Sequence, residues 1–300
     1  MATRRWSAVA ALLAVVLVSM PVWLRAQAEQ RIVYASALDA SGAPALDLGP
    51  SDFVVREDRT TREILNVVPA ADPMDIALLV DNSQAADLLV RDFRAGLTAF
   101  INAIAADASG ARHQVAVITV GERPTINTDY TRELEGAVKG ANRIFATPGS
   151  GTYMLDGIIE TSQGLRRREA TRAAIVAVVT ANGPELSNRV YQAVLEPLRA
   201  AGATLHVLVV GSPRTLDQDR QLAFDLGTRD TGGRFETVLT GMALAPRMTQ
   251  LANELTHQYK ITYARPQTLI PPERVTVGAA RQGLTVRGIQ ARNQPARGSR

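Results

Sequence analysis

The chain has no cysteine. That excludes a disulfide framework, thiolate metal sites, a cysteine nucleophile and a lipid-modified N-terminal cysteine. It does not exclude export, because 300 residues of ordinary apolar content can build a core without covalent staples. Lysine is nearly absent. Lys139 and Lys260 are the only two among 33 basic residues, a bias that reads as the base composition of a GC-rich bacterial genome rather than as function. Histidine is scarce, and His113, His206 and His257 lie on separate stretches without metal-ligand spacing. His206, inside the apolar "TLHVLVV", is expected in the core or at an edge. No G-x-S-x-G elbow exists. Acids such as Glu133, Glu135 and Glu160 read as solvated helix faces. No enzyme active site is expected, and an undetected hydrolase is the alternative from another class.

What the chain does have begins with "MATRRWSAVAALLAVVLVSMPVWLRAQAEQ". Arg4 and Arg5 precede an apolar run, and Ala26 and Ala28 follow in an A-x-A arrangement. This is the pattern of a secretory signal over residues 1–28, cleaved after Ala28. An uncleaved anchor is the alternative, since the run from Trp6 to Leu24 is just long enough to span a bilayer. Membrane association is expected only in that case. The expected location is the periplasm or the exterior.

Charge is unevenly placed. The formal net charge is +4. Residues 1–28 hold three arginines and no acid, and residues 264–300 hold seven arginines and one acid. The stretch between them is acidic overall, so the basic balance gives little support to nucleic-acid binding. None is expected.

Short strand-like runs, "RIVYASAL", "DFVVRED" and "REILNVV", occupy residues 29–73. They form too small a β segment to hold a core alone. From Asp75 strands and helices alternate. "DIALLVD", "QVAVITVG", "AAIVAVVT" and "TLHVLVVG" are continuous apolar strands. "ADLLVRDFRAGLTAFINAIAAD", "TRELEGAVKGANRIF", "MLDGIIETSQGLRRR", "RVYQAVLEPLRAAG" and "ALAPRMTQLANELTHQ" are helical. "GRFETV" is a short strand and "YKITYA" a final one. Apolar strands between helices predict a doubly wound, mainly parallel sheet with helices on both faces. Ligands in such folds sit beyond the carboxyl ends of the strands, where Asp81, Asn182 and the loop "TPGSGT" fall. That loop has Gly151 where a phosphate loop needs its lysine. After Ala264, "RVTVGA" and "LTVRGI" alternate as half-buried strands and are expected to pair with the N-terminal strands in a small β platform. The residues from about Ala291 are expected to be disordered.

Residues 74–263 resemble a von Willebrand factor type A (VWFA) domain. The likeness rests on "DIALLVDNSQAA", "GARHQVAVITVGERPTI", "GSGTYMLDGIIE", "AAIVAVVTANGPE", "TGGRFETV" and "LANELTHQYKITYARP", in that order. The flanks "LGPSDFVVREDRTTREI" and "VTVGAARQGLTVRG" resemble the exported bacterial VWFA-related group. The resemblance implies a divalent ion held by D-x-S-x-S in one loop, a threonine in a second and an aspartate in a third. Hard cations want such carboxylate, hydroxyl and water oxygens.

Asp81, Ser83 and Thr152 match that set. Ala85 offers no oxygen, and Asn182 stands where the family has an aspartate. A degenerate site is therefore expected, with no cofactor. The alternative is a weak Mg²⁺ or Mn²⁺ site, of Asp81, Ser83, Thr152 and Asn182, repaired by Asp156 or Glu185. A third possibility is that the three matching residues only satisfy loop N–H groups and cap helices. The leading expectation is a non-enzymatic module that binds a protein partner through a face made of Asp81, Asn82, Ser83, Gly151, Thr152, Asn182 and Glu185. A metal-dependent adhesion module and a structural envelope component are its rivals.

Overall fold

The computed structural model describes residues 28–267, 272 and 274–291. Most of the expected signal segment and all of the tail past Ala291 lie outside the described residues.

The centre is a six-stranded sheet in the order β10-β9-β8-β5-β6-β7. Its strands are β5 (Asp75–Val80), β6 (Gln114–Thr119), β7 (Thr125–Thr131), β8 (Ala173–Thr180), β9 (Ala203–Val210) and β10 (Phe235–Val238). All neighbours run parallel except β7, which is antiparallel to β6. β8 and β9 are buried along their whole length, which is why they read as apolar runs, interrupted inside β9 only by Thr204 and His206.

Helices cover both faces. On β5, Ile76, Leu78 and Val80 face one layer, while Ala77 and Leu79 face the other. The first layer holds α1 (Val90–Ala105), α2 (Leu134–Asn142) and α6 (Leu244–Thr256). The second holds α3 (Met154–Arg167), α4 (Tyr191–Ala201) and α5 (Gln218–Thr231). In α1 the buried residues Val90, Phe93, Leu97, Phe100, Ile101 and Ile104 fall at helical spacing and form one stripe. Burying each large side chain contributes about 1.5–3 kcal/mol.

Besides the short β-strand Thr60–Arg62, two elements stand outside the sequence reading. β7, "TINTDYT", is polar because it is an exposed edge strand. It takes Thr131, which was expected in the next helix. That helix starts at Leu134, and the Thr131 hydroxyl only accepts the N–H of Glu133 at 3.0 Å. The other is α5, whose buried face mixes Ala223 and Phe224 with Arg220, Gly227, Thr228 and Thr231. Its hydrophobic period is therefore weak. Its true signals are the ends: Asp217 accepts the Arg220 N–H at 3.1 Å as a cap, and Gly232 closes the helix with φ of 69°.

The terminal strands build a β platform. β1 (Ala28–Leu38), β4 (Ile64–Pro69), β11 (Tyr259–Pro266) and β13 (Thr285–Gln290) form one antiparallel sheet in the order β13-β1-β11-β4. β2 (Phe53–Glu57), β3 (Thr60–Arg62) and β12 (Val275–Ala279) form another, with β2 between its partners. A shared core of Val33, Ala35, Phe53, Val55, Tyr259, Ile261 and Tyr263 lies between the sheets. β11, "YKITYARP", therefore belongs to the platform and not to the central sheet. Its strict alternation of buried and half-buried residues marks an antiparallel strand with one face in the core.

Candidate binding site at the carboxyl ends of the central strands

β5 and β8 are adjacent and parallel, with Val80 opposite Val178. Their ends meet at Asp81, which is fully buried. Its Oδ1 accepts the N–H of Ser83 at 2.9 Å and its Oδ2 accepts the N–H of Thr180 at 3.2 Å. Burial pushes the Asp81 carboxyl above its usual range. The N–H groups and the nearby Arg220 guanidinium oppose that push.

Ser83 is buried beside it, and its Oγ has no hydrogen-bond partner among the described residues. Asn82 is held by the surrounding loops. Its Oδ1 accepts the Gly121 N–H at 2.7 Å, and its Nδ2 donates to the Phe145 carbonyl at 3.2 Å and to Thr147 Oγ1 at 3.1 Å. This amide ties the loop after β5 to those after β6 and α2. A cleft of about 480 Å³ opens beside it, with Glu122, Arg143 and Phe145 in its wall.

Gly151 and Thr152 lead into α3. Thr152 forms a lone parallel bridge with Glu185, its N–H donating to the Pro184 carbonyl at 2.9 Å and its carbonyl accepting from Leu186 at 2.7 Å. A Cβ on Gly151 would sit 2.6 Å from Leu186 Cδ1 and 3.0 Å from the Pro184 carbonyl oxygen, so a larger residue there would have to displace both. Thr152 Oγ1 is buried and unpartnered.

Glu185 reaches this cluster. Its Oε1 accepts the Ser187 hydroxyl at 2.6 Å and its Oε2 is buried without a partner. Burial pushes its carboxyl up to about 7, against the pull of Ser187 and Arg220. Asp156 is engaged elsewhere, accepting from Arg189 Nε at 2.8 Å. Asn182 is exposed, and its N–H donates to Thr180 Oγ1 at 3.2 Å. Ala85 packs under the same loop: its methyl lies 2.7 Å from where a Cβ on Gly183 would be.

Sequence reasoning missed Arg220. This fully buried side chain rises from the first turn of α5. Its Nη2 donates to the carbonyls of Ala181 at 3.5 Å and Gly183 at 3.4 Å, the residues either side of Asn182. The Asp217 cap, three residues earlier, was the signal that a helix begins here and sets its register.

Among the described residues the three histidines are placed apart and engaged locally. His113 Nδ1 accepts the Met74 N–H at 3.0 Å and its Nε2 bonds Asp107 at 2.8 Å. His206 is buried in β9, and His257 caps the end of α6 against the Asn253 carbonyl at 2.8 Å. Among the described residues no group of three or more histidines and acids is placed to hold a metal, and no helix is long and apolar enough to cross a membrane.

A parallel sheet wound on both sides, with polar loops gathered past its carboxyl ends, is the class of α/β domain that binds ligands at that edge. No protein-family model matches the chain, and no curated protein matches it in sequence. Solved structures do match in fold. Proximal thread matrix protein 1 from the mussel byssus aligns at TM-score 0.50 and 14% identity, over 70% of this chain and 50% of that one. A von Willebrand factor type A protein from Catenulispora acidiphila aligns at TM-score 0.48 and 12% identity, over 90% and 75%. The vWF domain of the pili tip protein Mfa5 from Porphyromonas gingivalis aligns at 0.47 and 13%, over 60% and 94%. At such identities the likeness concerns fold alone. The central domain is a doubly wound, mainly parallel α/β domain with an added antiparallel platform from the termini, and its fold is similar to that of the thread matrix protein.

Proposed function

We propose that this chain is a non-enzymatic, exported module that binds another protein through the carboxyl-end face of its von Willebrand A-like domain. The observation that carries the reading is where large apolar side chains are left in water. Leu88 is 93% exposed, Leu239 84% and Met242 81%, and Phe145, Leu186 and Val190 are exposed with them. Leu88 and Met242 stand on 3-10 turns, and the others on loops, past the carboxyl ends of the central strands. The loops adjoin: Leu186 lies on Gly151, Gly241 lies on Asp92 of α1, and Asn82 holds the Phe145 carbonyl. Exposed apolar side chains gathered on one face of a soluble domain mark an interaction surface. Export is supported by the arginine-led apolar run and the A-x-A sequence at the N-terminus.

The residues fit a divalent ion poorly. Ala85 gives no oxygen, Asn182 gives no charge, and Arg220 brings a positive charge to the same loops. A metal-dependent adhesion module is the second reading, favoured by the unpartnered oxygens of Ser83, Thr152 and Glu185. The test is capture of envelope proteins by the wild-type chain, by Leu88→Glu with Met242→Glu, and by Leu65→Glu on the platform, each with and without EDTA. The proposal expects one partner, lost only in the double variant and indifferent to EDTA. Loss on EDTA supports the metal reading, and a partner kept by the double variant sinks the proposed face.

A further inference from the structure

His113 ties together two parts of the chain that are distant in sequence. It lies in the loop before β6, and its side chain is 2% exposed. Nδ1 accepts the Met74 N–H at 3.0 Å, and Nε2 lies 2.8 Å from Asp107 Oδ2. A backbone N–H can only donate, so Nδ1 is the bare nitrogen and Nε2 carries the proton. The ring is therefore neutral. Asp107 is held in turn by Ser109, whose N–H it accepts at 3.1 Å and whose hydroxyl donates to its other oxygen.

Met74 ends the segment that leads from β4 of the platform to β5 of the central domain. That segment is fastened at intervals. The Ala70 N–H donates to the Gln258 carbonyl at 2.8 Å. Arg172 Nη1 donates to the Ala70 carbonyl at 3.3 Å and to the Asp72 carbonyl at 3.1 Å. The Asp72 carboxylate pairs with Lys260 at 3.0 Å. At the far end the Met74 carbonyl accepts from Gln114 at 2.8 Å, and the Met74 N–H goes to His113. An imidazole is the side chain in this set whose ordinary pKa places a change of charge between pH 5 and 8. The charged groups around the ring are Asp107, Arg172 from just before β8, and Arg112, Arg132, Glu135 and Lys139, which share with it the wall of a cleft of about 580 Å³. Burial holds the ring's pKa below its ordinary value, Asp107 pulls it up and Arg172 pushes it down.

We propose that His113 is an acid-released latch: the neutral ring fastens the segment between platform and central domain at Met74, and the protonated ring stays with Asp107 and lets Met74 go. This does not rest on what the carboxyl-end face binds. A proton added at Nδ1 turns that nitrogen into a donor facing another donor, the Met74 N–H, so the bond is lost. The imidazolium keeps its Nε2–H bond to Asp107, now strengthened by charge. The hold of the neutral ring is complete above the ordinary histidine pKa near 6.5 and is lost as pH falls through the lower folded value.

The experiment follows amide hydrogen exchange at Met74 in the full chain at pH 7.5 and pH 4.5, corrected for the intrinsic pH dependence, with the amides of β8 as internal reference. It compares wild type with two variants. H113N keeps an oxygen that can accept the Met74 N–H and does not titrate. H113Q can reach Asp107 but not Met74. Wild type is expected to lose at least about tenfold in protection at Met74, relative to β8, at the lower pH. H113N should stay protected in both conditions, and H113Q should be open in both. Equal relative protection of wild type at the two pH values would overturn the proposal. So would a loss in H113N as large as in wild type. The nitrogen-15 resonances of the wild-type ring need no substitution. A protonated Nδ1 at pH 7.5, or a ring still neutral at pH 4.5, refutes the latch even if both variants fail to fold.

Discussion

Glu254 on α6 accepts a hydrogen bond from Arg287 on β13 at 2.7 Å. The acid is 1% exposed, and its other oxygen accepts from Arg234 at 3.0 Å, so an ion pair inside the molecule fastens the platform to the central domain. Burial alone would raise the Glu254 carboxyl, but Arg287 and Arg234 hold it below its usual value. Arg287→Gln leaves a buried acid short of one charged donor and should cost about 2–3 kcal/mol in urea unfolding. A carboxyl depressed in the folded state lends stability above its unfolded pKa and loses it as pH falls through the folded value. The difference between wild type and R287Q should therefore shrink in acid.

His206 opposes acid in a separate way. It is fully buried on β9, and neither ring nitrogen has a hydrogen-bond partner among the described residues. Burial pushes it down to about 4, although Glu254 pulls the other way. The folded chain thus prefers the neutral ring. The ring's contribution is fully present above its unfolded pKa near 6.5 and is lost as pH falls towards 4. His206→Leu should flatten that slope and, by removing two unpaired polar atoms, should cost nothing at pH 7 or stabilise by about 1 kcal/mol. A clear loss of stability in H206L at pH 7 would argue that the ring has a partner after all.

Glu185 has the opposite sign. Its folded pKa, about 7, lies above the ordinary 4.5, so the folded state holds the extra proton between those values. Its contribution is complete below about 4.5 and disappears as pH rises through 7. This slope runs against that of His206, and wild type alone shows only their sum. The quantity to measure is the stability difference between wild type and Glu185→Gln across pH 4.5 to 8. It should fall by on the order of 2 kcal/mol as pH rises, a figure reduced for partial exposure. An upward trend would mean that Arg220 governs Glu185 more strongly than burial does.

Much of this was legible in the sequence because burial writes itself as pattern. β8 and β9 are buried throughout and read as apolar runs. α1 buries one stripe and reads as a period. "RVTVGA" and "LTVRGI" alternate, and they do pair with N-terminal strands, β12 with β2 and β13 with β1. Where burial was partial or polar the pattern failed. β7 is an exposed edge with nothing apolar to repeat. α5 buries Arg220, Thr228 and Thr231, so its inner face looks like an outer one. The site was half legible for the same reason. Asp81 and Thr152 sit at fixed offsets from readable strands and loops. Arg220 reaches the site from a helix whose register only its cap at Asp217 discloses.

Gly151 and Gly164 separate close packing from backbone freedom. At Gly151 a Cβ would meet Leu186 Cδ1 at 2.6 Å and the Pro184 carbonyl at 3.0 Å. The side chain of Leu186 can move, but the carbonyl, which accepts the Thr152 N–H at 2.9 Å, must give by a few tenths of an ångström and so weaken the bridge. Gly151→Ala should therefore cost about 1–3 kcal/mol and loosen the site loops, read as faster amide exchange at Thr152 and Leu186. At Gly164, inside α3, a Cβ would meet nothing within 4 Å. Gly164→Ala should stabilise by about 0.5–1 kcal/mol through helix propensity alone, with no change in exchange at the site. If both substitutions proved neutral, the close approach of the loops at Gly151 would not be the constraint described here.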